Sequence, residues 1–397
     1  MNRSFADRMA CAHKSFVREI LKVTESPEII SFAGGLPNPR CFPVREVMDA
    51  TQKVLSESGE AVLQYSTTEG YLPLREMIAR RYNNRGLNVK PSEILIVNGS
   101  QQGLDLLGKV FLNKGDGVVL ERPTYLAAIQ SFGFFEPEFH SIPLEEDGIN
   151  PDALKKVLAG ESLKKPVKLF YSVPNFQNPT GITYSEEKLR EVAETMAGSG
   201  TVFIEDNPYG EMRFMGKDRP SMRSFMGDDA VLLGSFSKIV SPGMRLGWVC
   251  ACEEIMEKLI VAKQASDLHT NYLSQRIVHR YLLDNDIDQH ISEIRQVYGE
   301  QRNCMVQTMQ EQFPENVSFT RPEGGMFVWV TLPEEMSSID LFHRAIKEKV
   351  AFVPGQAFYA DGGGRNTMRL NYSNCDTERI VEGITRLAVA IREMARG

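Results

Sequence analysis

Several things are scarce in this chain of 397 residues, and each scarcity excludes something. No apolar run approaches the roughly 20 residues that cross a bilayer, so no membrane function is expected. The first residues include Arg3, Asp7, Arg8, Lys14, Arg18 and Glu19, which an export signal does not tolerate. Basic residues are not in excess: 45 Lys and Arg against 52 Asp and Glu leave a net charge of -7. That balance argues against nucleic acid as a partner, since phosphate backbones need concentrated cations. Cysteines stand only at 11, 41, 250, 252, 304 and 375, with no Cys-x-x-Cys pair, and the six histidines lack metal-ligand spacing. No metal site is therefore expected. Free thiols in a chain without an export signal point to a reducing cytoplasm. Internal repeats and low-complexity linkers are absent as well.

What is present is an ordinary globular composition, 42% apolar and 24% charged, long enough for two domains around substantial cores. An apolar rhythm at Phe5, Met9, Ala12, Phe16 and Ile20 predicts an amphipathic N-terminal helix. From about residue 92 to 252, short Val/Ile/Leu-rich runs alternate with helical segments. The runs are Ile94–Val97, Gly117–Leu120, Val167–Val173, Val202–Glu205, Val231–Leu233 and Leu246–Cys250. They read as strands covered on both faces, an α/β class with a mostly parallel central sheet. From about 286 the pattern changes to a long charged helix, Ile287–Gln312, then strands and helices of an α+β unit closing with a helix from Thr377.

The chemistry concentrates at the ends of the middle strands. Ser235-Phe236-Ser237-Lys238 follows one of them, and Arg245 comes seven residues after the lysine. Two hydroxyls and a guanidinium are the donors a phosphate monoester takes. A lysine beside a phosphate site is how proteins hold pyridoxal 5'-phosphate (PLP), as a Schiff base. Taken alone, the segment reads equally well as a surface lysine in a serine-rich turn. Upstream, Asn178-Pro179-Thr180-Gly181 follows the strand 167–173, and Asp206 closes the next, with Tyr209 shortly after. Ligands of open α/β sheets bind outside the carboxyl ends of the strands, so these groups converge there. Asn98-Gly99-Ser100-Gln101 closes a strand and opens a helix, offering backbone N–H groups and the Ser100 and Gln101 side chains to an anion.

With these motifs in hand, the chain resembles a PLP-dependent aminotransferase of fold type I, class I/II. It is most similar to the branch of 2-aminoadipate, kynurenine and broad-specificity aromatic aminotransferases. The resemblance runs from Ser31-Phe32-Ala33-Gly34-Gly35-Leu36-Pro37 through Asn-Pro-Thr-Gly, Asp-x-x-Tyr and Ser-x-Ser-Lys-x6-Arg to Met368-Arg369-Leu370-Asn371-Tyr372. It implies an N-terminal arm (1–45) packing with the small domain, a large PLP-binding domain (46–285) and a small C-terminal domain (286–397). It implies that Lys238 anchors PLP and moves the proton, that Asp206 pairs with the pyridine nitrogen, and that Asn178 and Tyr209 hold the phenolic oxygen. Ser100, Gln101, Ser235, Ser237 and Arg245 take the phosphate, and Tyr125 stacks on the ring. Arg369, inside an apolar strand, is costly unless a carboxylate answers it. The substrate is the expected partner, with Asn178 and the backbone of Gly35 beside it, and a protein carboxylate is the alternative. Tyr65 matches a tyrosine that reaches the neighbouring subunit's phosphate, which implies a homodimer with shared sites.

The implied reaction moves the amino group of an L-α-amino acid to a 2-oxo acid, with 2-oxoglutarate the expected acceptor, in ping-pong order. A C–S lyase of the same fold is the alternative. A PLP-sensing transcription regulator is not expected, since only about 30 residues precede the Ala33-Gly34-Gly35 segment. An acyl-CoA condensing enzyme of this fold normally carries a different motif around its lysine. Asp361-Gly362-Gly363-Gly364-Arg365 has no strand–helix frame and reads as a loop, not a phosphate site.

Overall fold

A computed structural model describes residues 4–10, 26–160 and 165–396 of the chain. Most of the expected N-terminal helix, Ala12, Phe16 and Ile20 included, lies outside the described residues, as does Cys11. The described part is a single 3-10 turn at Asp7–Ala10, from which Phe5 and Met9 face solvent. The first strand is β1 (Ile30–Ser31). Eight more follow: β2 (Ile94–Val97), β3 (Gly117–Arg122), β4 (Glu138–Glu145), β5 (Gly148–Ile149), β6 (Val167–Ser172), β7 (Val202–Asp206), β8 (Ala230–Ser235) and β9 (Gly247–Cys250). The C-terminal part adds β10 (Ser318–Phe319), β11 (Phe327–Thr331), β12 (Val350–Ala351), β13 (Val353–Pro354) and β14 (Thr367–Asn371).

The large sheet runs β2-β9-β8-β7-β6-β3-β4-β5. Its centre is parallel, while β9 lies antiparallel to both its neighbours and β5 antiparallel to β4. Successive side chains of a strand leave opposite faces, and here each face has a core. Val118, Leu120, Leu169, Tyr171 and Ile204 join one cluster, while Val119, Phe170 and Phe203 join the other. Double-sided burial explains why these strands read as continuous apolar runs. The helix Ser100–Phe111 lies close on the sheet because Gly103 has no side chain. A Cβ there would stand 2.8 Å from Leu233.

Two strands of the large sheet escaped the apolar-run reading. β4 buries only Ile142 of its eight residues, so no continuous run marks it. β5 is two residues long. The C-terminal lobe holds the antiparallel sheet β10-β11-β14-β13, flanked by helices Ile287–Gln312 and Thr377–Arg396, which pack on each other. The short strands at 350–354 have two different partners. Val353 pairs with Arg369 in this sheet, whereas β12 pairs in parallel with β1, Ile30 opposite Val350. The N-terminal segment is thereby bonded to the C-terminal lobe, and Ala33 and Gly35 are carried to the mouth of the large sheet.

Candidate active site

At the carboxyl ends of β6, β7 and β8 the backbone turns away and leaves a cavity of about 380 Å³. Asp206, the last residue of β7, is 2% exposed. Its Oδ2 accepts a hydrogen bond from Tyr171 Oη at 2.7 Å, and its Oδ1 is buried without a partner. Burial pushes the carboxyl up to about 7, with the charge of Glu121 adding and the Tyr171 bond opposing. A bare anionic oxygen of this kind is costly unless a cation meets it.

Lys238 follows β8 by three residues, and its Nζ donates to the carbonyl of Gly35 at 2.9 Å. Burial, reinforced by the positive charges of Arg369 and Arg245, pulls the amine down to about 8. That shift brings the neutral amine, which is both a nucleophile and a base, within reach near neutral pH.

Arg369 lies in β14, 5% exposed. Nη1 donates to Asn178 Oδ1 and Nη2 to the Ala33 carbonyl, both at 2.7 Å, and Nε is buried without a partner. The guanidinium stacks over Phe327 at 4.4 Å and Phe358 at 5.1 Å. It forms no salt bridge with any described carboxylate, which removes the protein-carboxylate alternative among the described residues. Burial lowers its pKa to about 10, opposed by Tyr209 and Tyr125. Asn178 Nδ2 reaches Tyr209 Oη at a long 3.5 Å.

The opposite end of the cavity suits an anion. Helix Ser100–Phe111 begins without a side-chain cap, and with Gln102 N–H turned back to Gly99 O at 3.1 Å, the N–H groups of Ser100 and Gln101 are those that face a ligand. Gly99 precedes it at φ 74°, and a Cβ there would stand 2.6 Å from Arg245 Nη2. Arg245 itself, at φ 54°, donates to Asn98 O at 3.3 Å. A network no motif announced holds this turn from behind. Asp267 accepts from Asn98 Nδ2 at 2.6 Å, Gln102 Nε2 at 2.7 Å and the fully buried Lys263 at 2.8 Å. Ser235 Oγ accepts from the Ser237 N–H at 3.1 Å.

Twelve residues singled out from sequence line this one cavity: Gly35, Ser100, Gln101, Tyr125, Asn178, Asp206, Tyr209, Ser235, Ser237, Lys238, Arg245 and Arg369. Tyr65 does not. It is 78% exposed, edge-on to His269 at 5.8 Å. Sequence reasoning missed Tyr171, the hydrogen-bond partner of Asp206, because a tyrosine within an apolar strand reads as core. The donor set fits PLP: a bare carboxylate oxygen for a protonated ring nitrogen, a depressed lysine for the aldehyde, and an uncapped helix with Arg245 for the phosphate. The glycine-rich segment Asp361–Arg365 is tied down elsewhere, Arg122 Nε reaching Asp361 at 2.9 Å and Nη2 reaching Gly362 O at 3.2 Å.

The chain resembles known proteins over nearly its whole length. A family model described as aminotransferase class I and II matches residues 30–387. The chain is 44% identical over 382 residues to a 2-aminoadipate transaminase of Thermus thermophilus, covering 95% of this chain and 94% of that one. It is 42% identical over 392 residues to aromatic-amino-acid aminotransferase 1 of Thermococcus litoralis, covering 98% and 94%. Among solved structures, the α-aminoadipate aminotransferase LysN of Thermus thermophilus, complexed with N-(5'-phosphopyridoxyl)-L-leucine, superposes with a TM-score of 0.91. That match has 41% identity and covers 99% of this chain and 98% of the other.

Proposed function

Because the chain belongs to the class I and II aminotransferases, we propose that it moves the amino group of aromatic or 2-aminoadipate-like L-α-amino acids to a 2-oxo acid, expected to be 2-oxoglutarate, using PLP held in the cavity above. Amino-group transfer is the activity of the family, and relatives named as transaminases do not favour the C–S lyase alternative. The observation that carries the site reading is the bare Oδ1 of Asp206 in the same cavity as Lys238.

PLP, when bound, supplies an electron sink for the charge left when the substrate loses its α-proton. The chain's own residues do the rest. Lys238 Nζ, near pKa 8, takes the proton from the substrate Cα and returns it at the other end of the exchange. Asp206 would pair with the ring nitrogen and keep it protonated, an arrangement that favours the ionised form of its carboxyl. Tyr171 fixes the carboxylate's orientation by holding Oδ2. Asn178 and Tyr209 would hold the ring oxygen, and Tyr125 would stack on the ring. Ser100, Gln101, Ser235, Ser237 and Arg245 would bind the phosphate. Arg369 takes the substrate α-carboxylate, with Asn178 beside it and the Gly35 backbone closing over the site.

We further propose that Tyr65 completes the phosphate site of a second copy, which accounts for a tyrosine so exposed in one chain and makes the enzyme a homodimer. The proposed domains are an arm at 1–45, a PLP-binding domain at 46–285 and a small domain at 286–397. The proposed compartment is the cytoplasm; among the described residues no helix is long and apolar enough to cross a membrane. The test is an absorption spectrum of the PLP-loaded protein before and after L-amino acids added singly. A band that converts to that of the cofactor's amine form, and returns with 2-oxoglutarate, supports the reading and ranks the donors. An unmoved band with pyruvate and ammonia accumulating turns it toward the lyase.

A further inference from the structure

Glu121, in β3, is 1% exposed and does not line the cavity. Its Oε1 accepts from Ser172 Oγ at 2.6 Å, Val173 N at 3.2 Å and Tyr184 Oη at 2.9 Å, and its Oε2 accepts from Gln177 Nε2 at 2.8 Å. No described lysine or arginine pairs with it. The Val173 N–H and the Gln177 amide can only donate, and each holds a different oxygen. A neutral acid would have to turn the Ser172 or Tyr184 hydroxyl from donor to acceptor, and four donors on the two oxygens favour the ionised carboxylate. Burial raises this carboxyl above the ordinary carboxylate range, and the four donors offset part of that rise.

From Glu121 the network reaches both walls of the cavity. The second amide hydrogen of Gln177 goes to the carbonyl of Pro123 at 2.7 Å. Its Oε1 accepts from Thr180 N at 2.9 Å and Thr180 Oγ1 at 2.7 Å, so every polar atom of this buried side chain is engaged. Pro123 stands two residues before Tyr125, and Gln177 immediately before Asn178. One anion and one amide therefore bridge the segment carrying the ring-facing tyrosine and the segment carrying the asparagine bonded to Arg369.

We propose that Glu121 is a positioning residue of the transamination site: its buried carboxylate, through Gln177, fixes the 123–125 and 177–180 segments so that Asn178 meets Arg369 and the cofactor in one orientation. The proposal rests on the reading of the cavity as the PLP site. Its physical basis is that charge-assisted bonds from fixed donors are stronger than neutral ones, and each bond formed here removes a degree of freedom from a loop. Glutamine at 121 keeps the shape but must point an N–H at either Val173 or Gln177, donor against donor.

The experiment measures the dissociation constant of PLP and the visible circular dichroism of bound PLP in the full chain, as wild type, E121Q, N178A and the double variant. Urea denaturation of each reports folding separately. E121Q is expected to fold, to bind PLP about tenfold more weakly with a changed dichroic band, and to add less than about twofold when placed on N178A, the non-additivity of residues acting through one another. E121Q binding PLP like wild type, or losing the same factor in both backgrounds, overturns the proposal. Should E121Q fail to fold, Y184F removes a single donor to Oε1 and is expected to show the same pattern on a smaller scale. An unchanged band and affinity in Y184F then count against it. If N178A itself leaves affinity and dichroism unchanged, the reading of the cavity falls. If N178A weakens PLP and E121Q does not, only the role of Glu121 falls.

Discussion

Glu205 and Asp206 are consecutive at the end of β7, yet one belongs to the scaffold behind the sheet and the other to the cavity. Because strand side chains alternate, they leave opposite faces. Glu205 accepts from Ser221 Oγ at 2.7 Å, Met222 N at 2.8 Å and Asn207 Nδ2 at 3.3 Å. Asp206 has one donor and one bare oxygen. Both are buried and both carboxyls are pushed up by burial. Burial alone therefore does not separate a structural anion from a functional one; the state of its last lone pairs does. Glu121, with four donors, falls on the scaffold side, and the partly unsatisfied Arg369 on the functional side.

The sharpest test of this division is Lys238→Ala. Losing both the anchor and the base is expected to cut amino-group transfer by roughly 10³-fold or more, read as kcat with excess PLP. Next comes the pair of carboxylates. Asp206→Asn is expected to lower kcat by about 10²- to 10³-fold, while Glu205→Gln costs about 1–3 kcal/mol in urea unfolding and leaves kcat near wild type. Equal losses of kcat in the two variants would erase the distinction. A smaller effect is expected from Arg369→Lys, which keeps the charge and loses the fork. The KM for amino acids rises roughly 10- to 100-fold, the worth of one or two hydrogen bonds to a charged group, with kcat less affected.

The smallest effect is on stability against pH in the PLP-free protein. Lys238 has a folded pKa of about 8, below its unfolded value, so the unfolded chain holds more protons between about 8 and 10.5. Stability from this group rises as pH climbs through that window. Asp206 works in the opposite sense. Its folded pKa of about 7 exceeds the unfolded value, so stability falls as pH climbs from about 4 to 7. Each slope is at most about 1.4 kcal/mol per pH unit and is expected to flatten in K238M and D206N respectively. Urea midpoints across the pH range, identical in variants and wild type, would show that neither group is strained before the cofactor arrives.

Much of this was legible in the chain itself. Short apolar runs ending in Asn178, Asp206 and Lys238 point to strand ends, and strand ends of a parallel sheet face one way, so order along the sequence becomes proximity in space. The helix Ile287–Gln312 shows its charged periodicity directly. Less legible was β4, whose half-exposed residues carry no unbroken apolar signal. Tyr171 and Glu121 were not legible at all, because a polar residue inside a strand looks the same whether it is satisfied or bare, and Gln177, in the loop after β6, gives no sign of the partners its amide meets.

Residue identity and spacing thus determined which groups this protein brings to its site, since chemistry and strand periodicity are local properties. Only the tertiary structure decided which of them are left unsatisfied. The hydrogen-bond partners of Asp206, Glu121 and Arg369 come from residues tens to hundreds of positions away, as with Ala33 and Arg369 across the two lobes. A hydrogen bond needs its partners within about 3 Å, and that closeness is a property of the folded chain.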